Sequence, residues 1–247
     1  MFAALAILVL VLAAKVFWSS DKKLNQEKAV LPSAAVSLDS PKLESAASST
    51  VESQPPVKEP PLEYNLSVPF TPQAPTANWD KTHEEACEEA AILMANRFFA
   101  GREIAGPDDA EEGLQEIIDW EVKNLGFFES TTAEETARVI REMLGLKAEI
   151  IENPKVEDIK AAIAADKLVL VPSAGRQIGN PFYKSPGPLY HMLLLKGYTP
   201  DKFITNDAGT KRGENYPYKF ETVLNANHDW NSGDVLNGAK KMIFVFQ

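Results

Sequence analysis

The order in which hydrophobic periods change along the chain restricts its fold more than any other feature. Across residues 82–144 apolar side chains recur at helical spacing in three segments, 82–100, 108–124 and 132–144. The first places Ala90, Ala91, Met94 and Phe98 on one face and opens with Thr82 three residues before Glu85, the spacing of a capping box. Beyond Leu146 the signal turns into short apolar runs bounded by turns. These predict a strand at 146–151, a short helix at 156–165, a buried strand at 168–171 ending at Pro172, and a loop rich in Gly and Pro at 175–188. Strands at 191–198 and 203–206 follow, joined by a turn at 199–202, then a helical stretch at 220–226 and a last strand at 242–246. Helices first and hairpin-linked strands later imply an α+β domain, with the helices packed on an antiparallel sheet.

That domain occupies residues 64–247. Upstream, residues 19–63 contain no aromatic residue and no glycine, while Pro32, Pro41, Pro55, Pro56, Pro60 and Pro61 are interspersed with Ser, Ala and mixed charges. Such a stretch buries too little apolar surface to offset its ordering entropy, and it is expected to be a disordered tether. Residues 1–18 are apolar apart from Lys15, with Trp18 and then Lys22 and Lys23 where a membrane interface would lie. The run is close to the shortest helix that spans a bilayer. It is expected to anchor the domain at a membrane, with the domain on the extracytoplasmic side, although Lys22 and Lys23 after the run favour keeping that side inside. A cleaved signal, which would make the protein secreted, is the competing reading, although a positive n-region is missing and Ala13 and Ala14 make a poor cleavage site. The formal charge of −10, with no stripe of Lys and Arg, excludes a nucleic-acid-binding surface.

Cys87 is the only cysteine, so the chain forms no internal disulfide and its stability comes from burial. It lies near the start of the first helical segment, where amide dipoles favour a thiolate. The same face would equally accept it as a small buried hydrophobe. Glu84, Glu85, Glu88 and Glu89 oppose the thiolate, so a nucleophilic Cys87 needs an imidazolium nearby. Of the three histidines, His83 is one helical turn away and reads as a solvated first-turn residue. With Glu84 and Cys87 it forms only a degraded echo of a zinc-protease pattern, without a second histidine or a third ligand. His228 reads as a loop residue. His191 enters a strongly apolar strand, where an unpartnered histidine is costly, and is the better base. Asp207 closes the next strand, within a residue or two of His191 in register, and could hold the ring; Asn206 is its rival. A lone cysteine followed far downstream by His and then Asp is the layout of a papain-like cysteine hydrolase.

The combination of Val68, Pro69, Phe70 and Gln73, a cysteine at a helix start, Tyr190 and His191 leading an apolar strand to Gly197 and Tyr198, and Asn206 and Asp207 before Gly209 resembles the bacteriocin-processing, or C-thirty-nine-like, branch of the papain-like cysteine peptidases. The resemblance covers about residues 66–247. It implies a papain-like fold, cysteine-dependent hydrolysis of a peptide or protein substrate, and no metal or cofactor. By the same resemblance Cys87 is the nucleophile, His191 the general base and acid, Asp207 the orienting carboxylate and Gln73 a donor to the oxyanion hole. The chain departs from the pattern in that Gln73 and Cys87 are fourteen positions apart, and in carrying Glu88 where a glycine is frequent. A catalytically inactive binding or scaffold module on the same fold is the competing class.

Overall fold

The computed structural model describes residues 59–247; the expected anchor at 1–18 and nearly all of the tether at 19–63 lie outside the described residues. In chain order the elements are β1 (Tyr64–Asn65), α1 (Lys81–Glu84), α2 (Cys87–Phe99), α3 (Pro107–Asn124), α4 (Ala133–Glu142), β2 (Lys147–Glu152), α5 (Val156–Ala164), β3 (Leu168–Ala174), α6 (Gly175–Ile178), β4 (Tyr190–Tyr198), β5 (Lys202–Asn206), β6 (Tyr216–Lys219), α7 (Phe220–Ala226) and β7 (Lys241–Phe246). The strands form one antiparallel sheet in the order β2-β7-β3-β4-β5-β6, with β1 paired to β4. Helices α2, α4 and α5 pack on it. This is the α+β arrangement that the changing periods predict. No helix of the described residues is long and apolar enough to cross a membrane.

β3 and β4 are buried along their whole length and form the centre of the core, which explains why both read as near-continuous apolar runs. β3 runs three residues past its predicted end, through Pro172 to Ala174. The proline is tolerated because β7 pairs only with Leu168–Leu170, leaving that edge of β3 open. The Pro172 carbonyl turns to the open edge and accepts from His228 N at 3.0 Å and Asn227 Nδ2 at 2.8 Å, so the missing N–H breaks no ladder bond. Its partner on β4 is Met192, whose own N–H is thereby turned to the opposite edge.

Four expectations need correction. The helix predicted at 82–100 is two helices, with Asp80, not Thr82, capping the first by accepting from His83 N. The loop at 175–188 begins with the short α6. The strands β1 and β6 are too short to register as periodic patterns. The ordered domain also starts before residue 64, because the Tyr198 hydroxyl donates to the Pro61 carbonyl at 3.1 Å. The true capping box sits at α4, where the Thr132 side chain accepts from Glu135 N and the Glu135 carboxylate accepts from Thr132 N at 2.8 Å.

Candidate active site

Two strands and one helix start converge on the predicted residues. Leu194 pairs with Asn206 across β4 and β5, so one step further Asp207 is level with Leu193. His191 is two residues from Leu193 and therefore on the same face of the sheet. The register brings the two side chains together: His191 Nε2 and Asp207 Oδ1 are 2.8 Å apart, and neither side chain is more than 1 % exposed. Asn206 takes no part. Its Nδ2 donates to the carbonyls of Val68 and Pro69, and its Oδ1 accepts from Asn215 N.

Asp207 is held by more than the histidine. Oδ1 also accepts from Gly209 N at 3.0 Å, while Oδ2 accepts from Asn180 Nδ2, Tyr183 OH and Tyr218 OH at 2.8, 2.7 and 2.6 Å. Burial by itself would push this carboxyl up, but the charge and hydrogen bond of His191, with the two tyrosine hydroxyls, outweigh it and hold the group at about 2. Asp207 is thus a fixed anion that orients the His191 ring through Nε2 and leaves Nδ1 as its second nitrogen. Tyr183 also covers the ring edge-on, with centroids 5.4 Å apart. A side chain at Gly209 would lie 2.7 Å from Tyr183 Cε1 and 3.0 Å from His191 Cε1, so only glycine fits beside the pair. Asn180, Tyr183 and Tyr218 carry no sequence signal of this role. They come from a loop and from β6, and tertiary folding alone aims them at one carboxylate.

Cys87 is the first residue of α2, and Gln73 is the reason that a helix starts there. In a continuous helix the carbonyls of His83 and Glu84 would accept from the N–H groups of Cys87 and Glu88, four residues on. Here the Gln73 amide takes both carbonyls, with Nε2 at 2.7 and 3.1 Å. The helix breaks at Glu85 and Ala86, and among the described residues no backbone carbonyl accepts from Cys87 N–H. Gln73 is itself anchored by its N–H to the Ala208 carbonyl at 2.9 Å, next to Asp207. The long interval between Gln73 and Cys87 is therefore spanned by a segment that folds back onto the helix break.

The side-chain partner of the thiol is Glu88 Oε2 at 2.9 Å and not His191. Burial pushes the Cys87 thiol well above its ordinary range, and the Glu88 charge adds to the effect; the Met192 amide pulls the other way. The structure thus joins His191 to Asp207, carries Cys87 on a helix N-terminus beside the residue after His191, and holds its sulfur in a hydrogen bond to Glu88.

The other two histidines serve the fold. His83 is buried rather than solvated, because its Nδ1 meets Asp80 Oδ1 at 2.7 Å and its Nε2 meets Glu111 Oε1 at 2.6 Å, fastening α1 to α3. His228 bridges the Gly238 carbonyl and Lys240 Nζ. Among the described residues no group of three His, Cys, Asp or Glu side chains is placed to hold a metal ion.

A cleft of about 1020 Å³ adjoins the site, although Cys87, His191 and Asp207 are buried and do not themselves line it. Gln73, Tyr183, Tyr190 and Gly209 line it close to the pair, and Trp79, Phe182, Leu189 and Trp230 supply its apolar walls. Trp79, Phe182 and Leu189 are 45, 42 and 45 % exposed, an unusual grouping of large apolar side chains at one opening.

The fold is shared with a solved structure. A candidate C-thirty-nine-like peptidase from Bacillus anthracis superposes with a TM-score of 0.51 over 75 % of this chain and 98 % of that one, at 13 % identity. A Carica candamarcensis cysteine protease solved with E-64 aligns at a TM-score of 0.37, 13 % identity, 76 % of this chain and 99 % of that one. Xylellain, a cysteine protease from Xylella fastidiosa, aligns at 0.32, 15 % identity, 76 % and 86 %. No protein-family model matches the chain, and no curated protein matches its sequence.

Proposed function

We propose that the domain is a cysteine peptidase or amidase that hydrolyses a peptide or protein substrate through Cys87, His191 and Asp207. The observation that carries the reading is the buried His191–Asp207 pair, its carboxylate saturated with donors, in a fold that sets Cys87 at a helix start. With Nε2 engaged on Asp207, Nδ1 of His191 is the nitrogen that takes the proton when the thiol turns to it. The thiolate attacks the substrate carbonyl and forms a C–S bond. The developing oxyanion is met by the Cys87 N–H, which Gln73 keeps free by holding the carbonyls of His83 and Glu84. As the C–N bond breaks, His191 returns the proton to the leaving amine. Water, deprotonated by His191, then cleaves the thioester and restores the thiol. The cleft accommodates a segment of chain, and its apolar walls suit a peptide.

The position of Cys87 Sγ on Glu88 specifically favours a second reading, a peptidase-like binding or scaffold module without turnover. Alkylation and hydrolysis separate the two. Purified full-length protein is assayed against a peptide library read by mass spectrometry, and Cys87 is labelled with iodoacetamide near neutral pH. The peptidase reading expects that Cys87→Ser and His191→Ala each abolish hydrolysis with non-additive losses, and that His191→Ala slows labelling. Slow labelling that is indifferent to His191, with no cleavage, establishes the scaffold. Residues 1–18 are proposed to tether the domain on the extracytoplasmic side of a membrane; release of the full chain from membranes by alkaline carbonate would rule the tether out.

A further inference from the structure

The mechanism above makes no use of Glu88, although no side chain is closer to the nucleophile. Glu88 is 1 % exposed, on the first turn of α2. Its carboxyl is held at both oxygens, with Oε1 accepting from Thr131 N at 3.0 Å and Oε2 lying 2.9 Å from Cys87 Sγ. Thr131 is fixed in turn. Its carbonyl accepts from Tyr190 OH at 2.9 Å and its hydroxyl pairs with Thr136 of α4. The carboxyl is therefore anchored on its far side and aimed at the sulfur.

Between Sγ and Oε2 there is room for one proton, carried either by a thiol that donates to a carboxylate or by a carboxylic acid that donates to a thiolate. Two anions at this separation, away from water, repel strongly. The ionisable neighbours of Glu88 make ionisation harder still: Glu85 in the break before α2, Glu89 on α2, Glu121 on α3, and Tyr190 on β4, with no Lys or Arg among them. Burial first, and Glu89 next, push the Glu88 carboxyl well above the ordinary carboxylate range.

We propose that neutral Glu88 is a catalytic hydrogen-bond donor to the Cys87 thiolate, and that ionised Glu88 is the acceptor that keeps Cys87 a thiol. The inference rests on the assignment of Cys87 as nucleophile. In the reacting state the Sγ proton has passed to His191 Nδ1, and the Glu88 proton stays on Oε2, directed at the sulfur. The site holds one proton more than a cysteine–histidine pair alone, so its reactivity falls as pH rises through the titration of Glu88. An isolated thiol behaves in the opposite way.

The test is the rate of Cys87 alkylation by iodoacetamide against pH, in full-length wild type and in Glu88→Gln, alongside peptide hydrolysis by both. Glutamine keeps an acceptor for Thr131 N and places an N–H donor toward the sulfur, without a charge. In wild type the rate should pass through a maximum and decline before any rise at strongly alkaline pH. In Glu88→Gln the decline should vanish, and alkylation at about pH 8 should be faster by about tenfold or more, one unit in thiol pKa. Superimposable profiles for the two proteins overturn the proposal. If Glu88→Gln does not fold, the wild type decides, since a single monotonic rise of rate with pH also overturns it. A shifted alkylation profile with no hydrolysis in either protein upholds the shared proton and removes the peptidase reading instead.

Discussion

Replacing Asp207 with asparagine removes one charge and almost no volume, and the geometry fixes what must follow. The carboxylate accepts three hydrogen bonds at Oδ2, from Asn180, Tyr183 and Tyr218, and at Oδ1 one from Gly209 N and one from His191. An amide has a single oxygen. If that oxygen keeps the three Oδ2 donors, the NH2 group faces Gly209 N–H and His191 Nε2. The Gly209 N–H is orphaned, at a cost of about 1–3 kcal/mol. Nε2 becomes an acceptor, so the ring proton moves to Nδ1, the nitrogen that must be bare to take the thiol proton. A wrong tautomer of this kind lowers turnover by about 10⁴-fold. Substrate binding should change little, because Asp207 lies beneath the cleft and is fully buried. Asn206 cannot stand in, since both ends of its amide are already engaged.

The same substitution changes acid stability. Asp207 is held at about 2 in the fold, against about 3.9 for an unperturbed aspartate. A carboxyl depressed on folding contributes stability that is present above its unfolded value and lost as pH falls through its folded value. The difference corresponds to about 2.5 kcal/mol, lost between about pH 4 and about pH 2. Asp207→Asn should lack this component of acid unfolding. Steady-state kinetics on a cleaved peptide, with urea unfolding at about pH 7 and about pH 3, measure both effects. Turnover within about tenfold of wild type, or an unchanged acid sensitivity, would refute the reasoning.

Gln73→Ala frees the carbonyls of His83 and Glu84 to recapture the N–H groups of Cys87 and Glu88, so turnover should fall by about 10²–10³-fold and Cys87 alkylation should slow with it. Unchanged alkylation would reduce Gln73 to a direct oxyanion donor. Glu121 of α3 is pushed up to about 8, first by burial, and lies against the Glu89 carboxyl, while neither carboxyl meets a donor from a third residue among those described. A carboxyl raised on folding stabilises below its unfolded value and loses that contribution as pH rises to its folded value, here between about pH 4 and about pH 8. Glu121→Gln should flatten this loss and raise the midpoint of thermal unfolding at about pH 8 by about 3 °C or more; a lower midpoint there contradicts the assignment.

What is local in the chain was legible without the structure. Helical spacing located the long helices, and alternation with turn residues located the hairpin of β4 and β5, because both patterns reflect which side chains leave water. The hairpin in turn set His191 and Asp207 on one face, since its short turn permits few registers. Features that depend on distant segments were not legible. The helix break before Cys87 is made by Gln73 capturing two carbonyls ten and eleven residues away, and nothing in the local propensity of residues 82–100 encodes it. Burial of His83 depends on Glu111, the hold on Asp207 on Asn180, Tyr183 and Tyr218, and the hold on Glu88 on Thr131. The sequence by itself determined which residues are candidates for chemistry and on which elements they lie. Only the tertiary structure decided which of them meet, because hydrogen bonding and charge repulsion act over a few ångströms of space and are indifferent to separation along the chain.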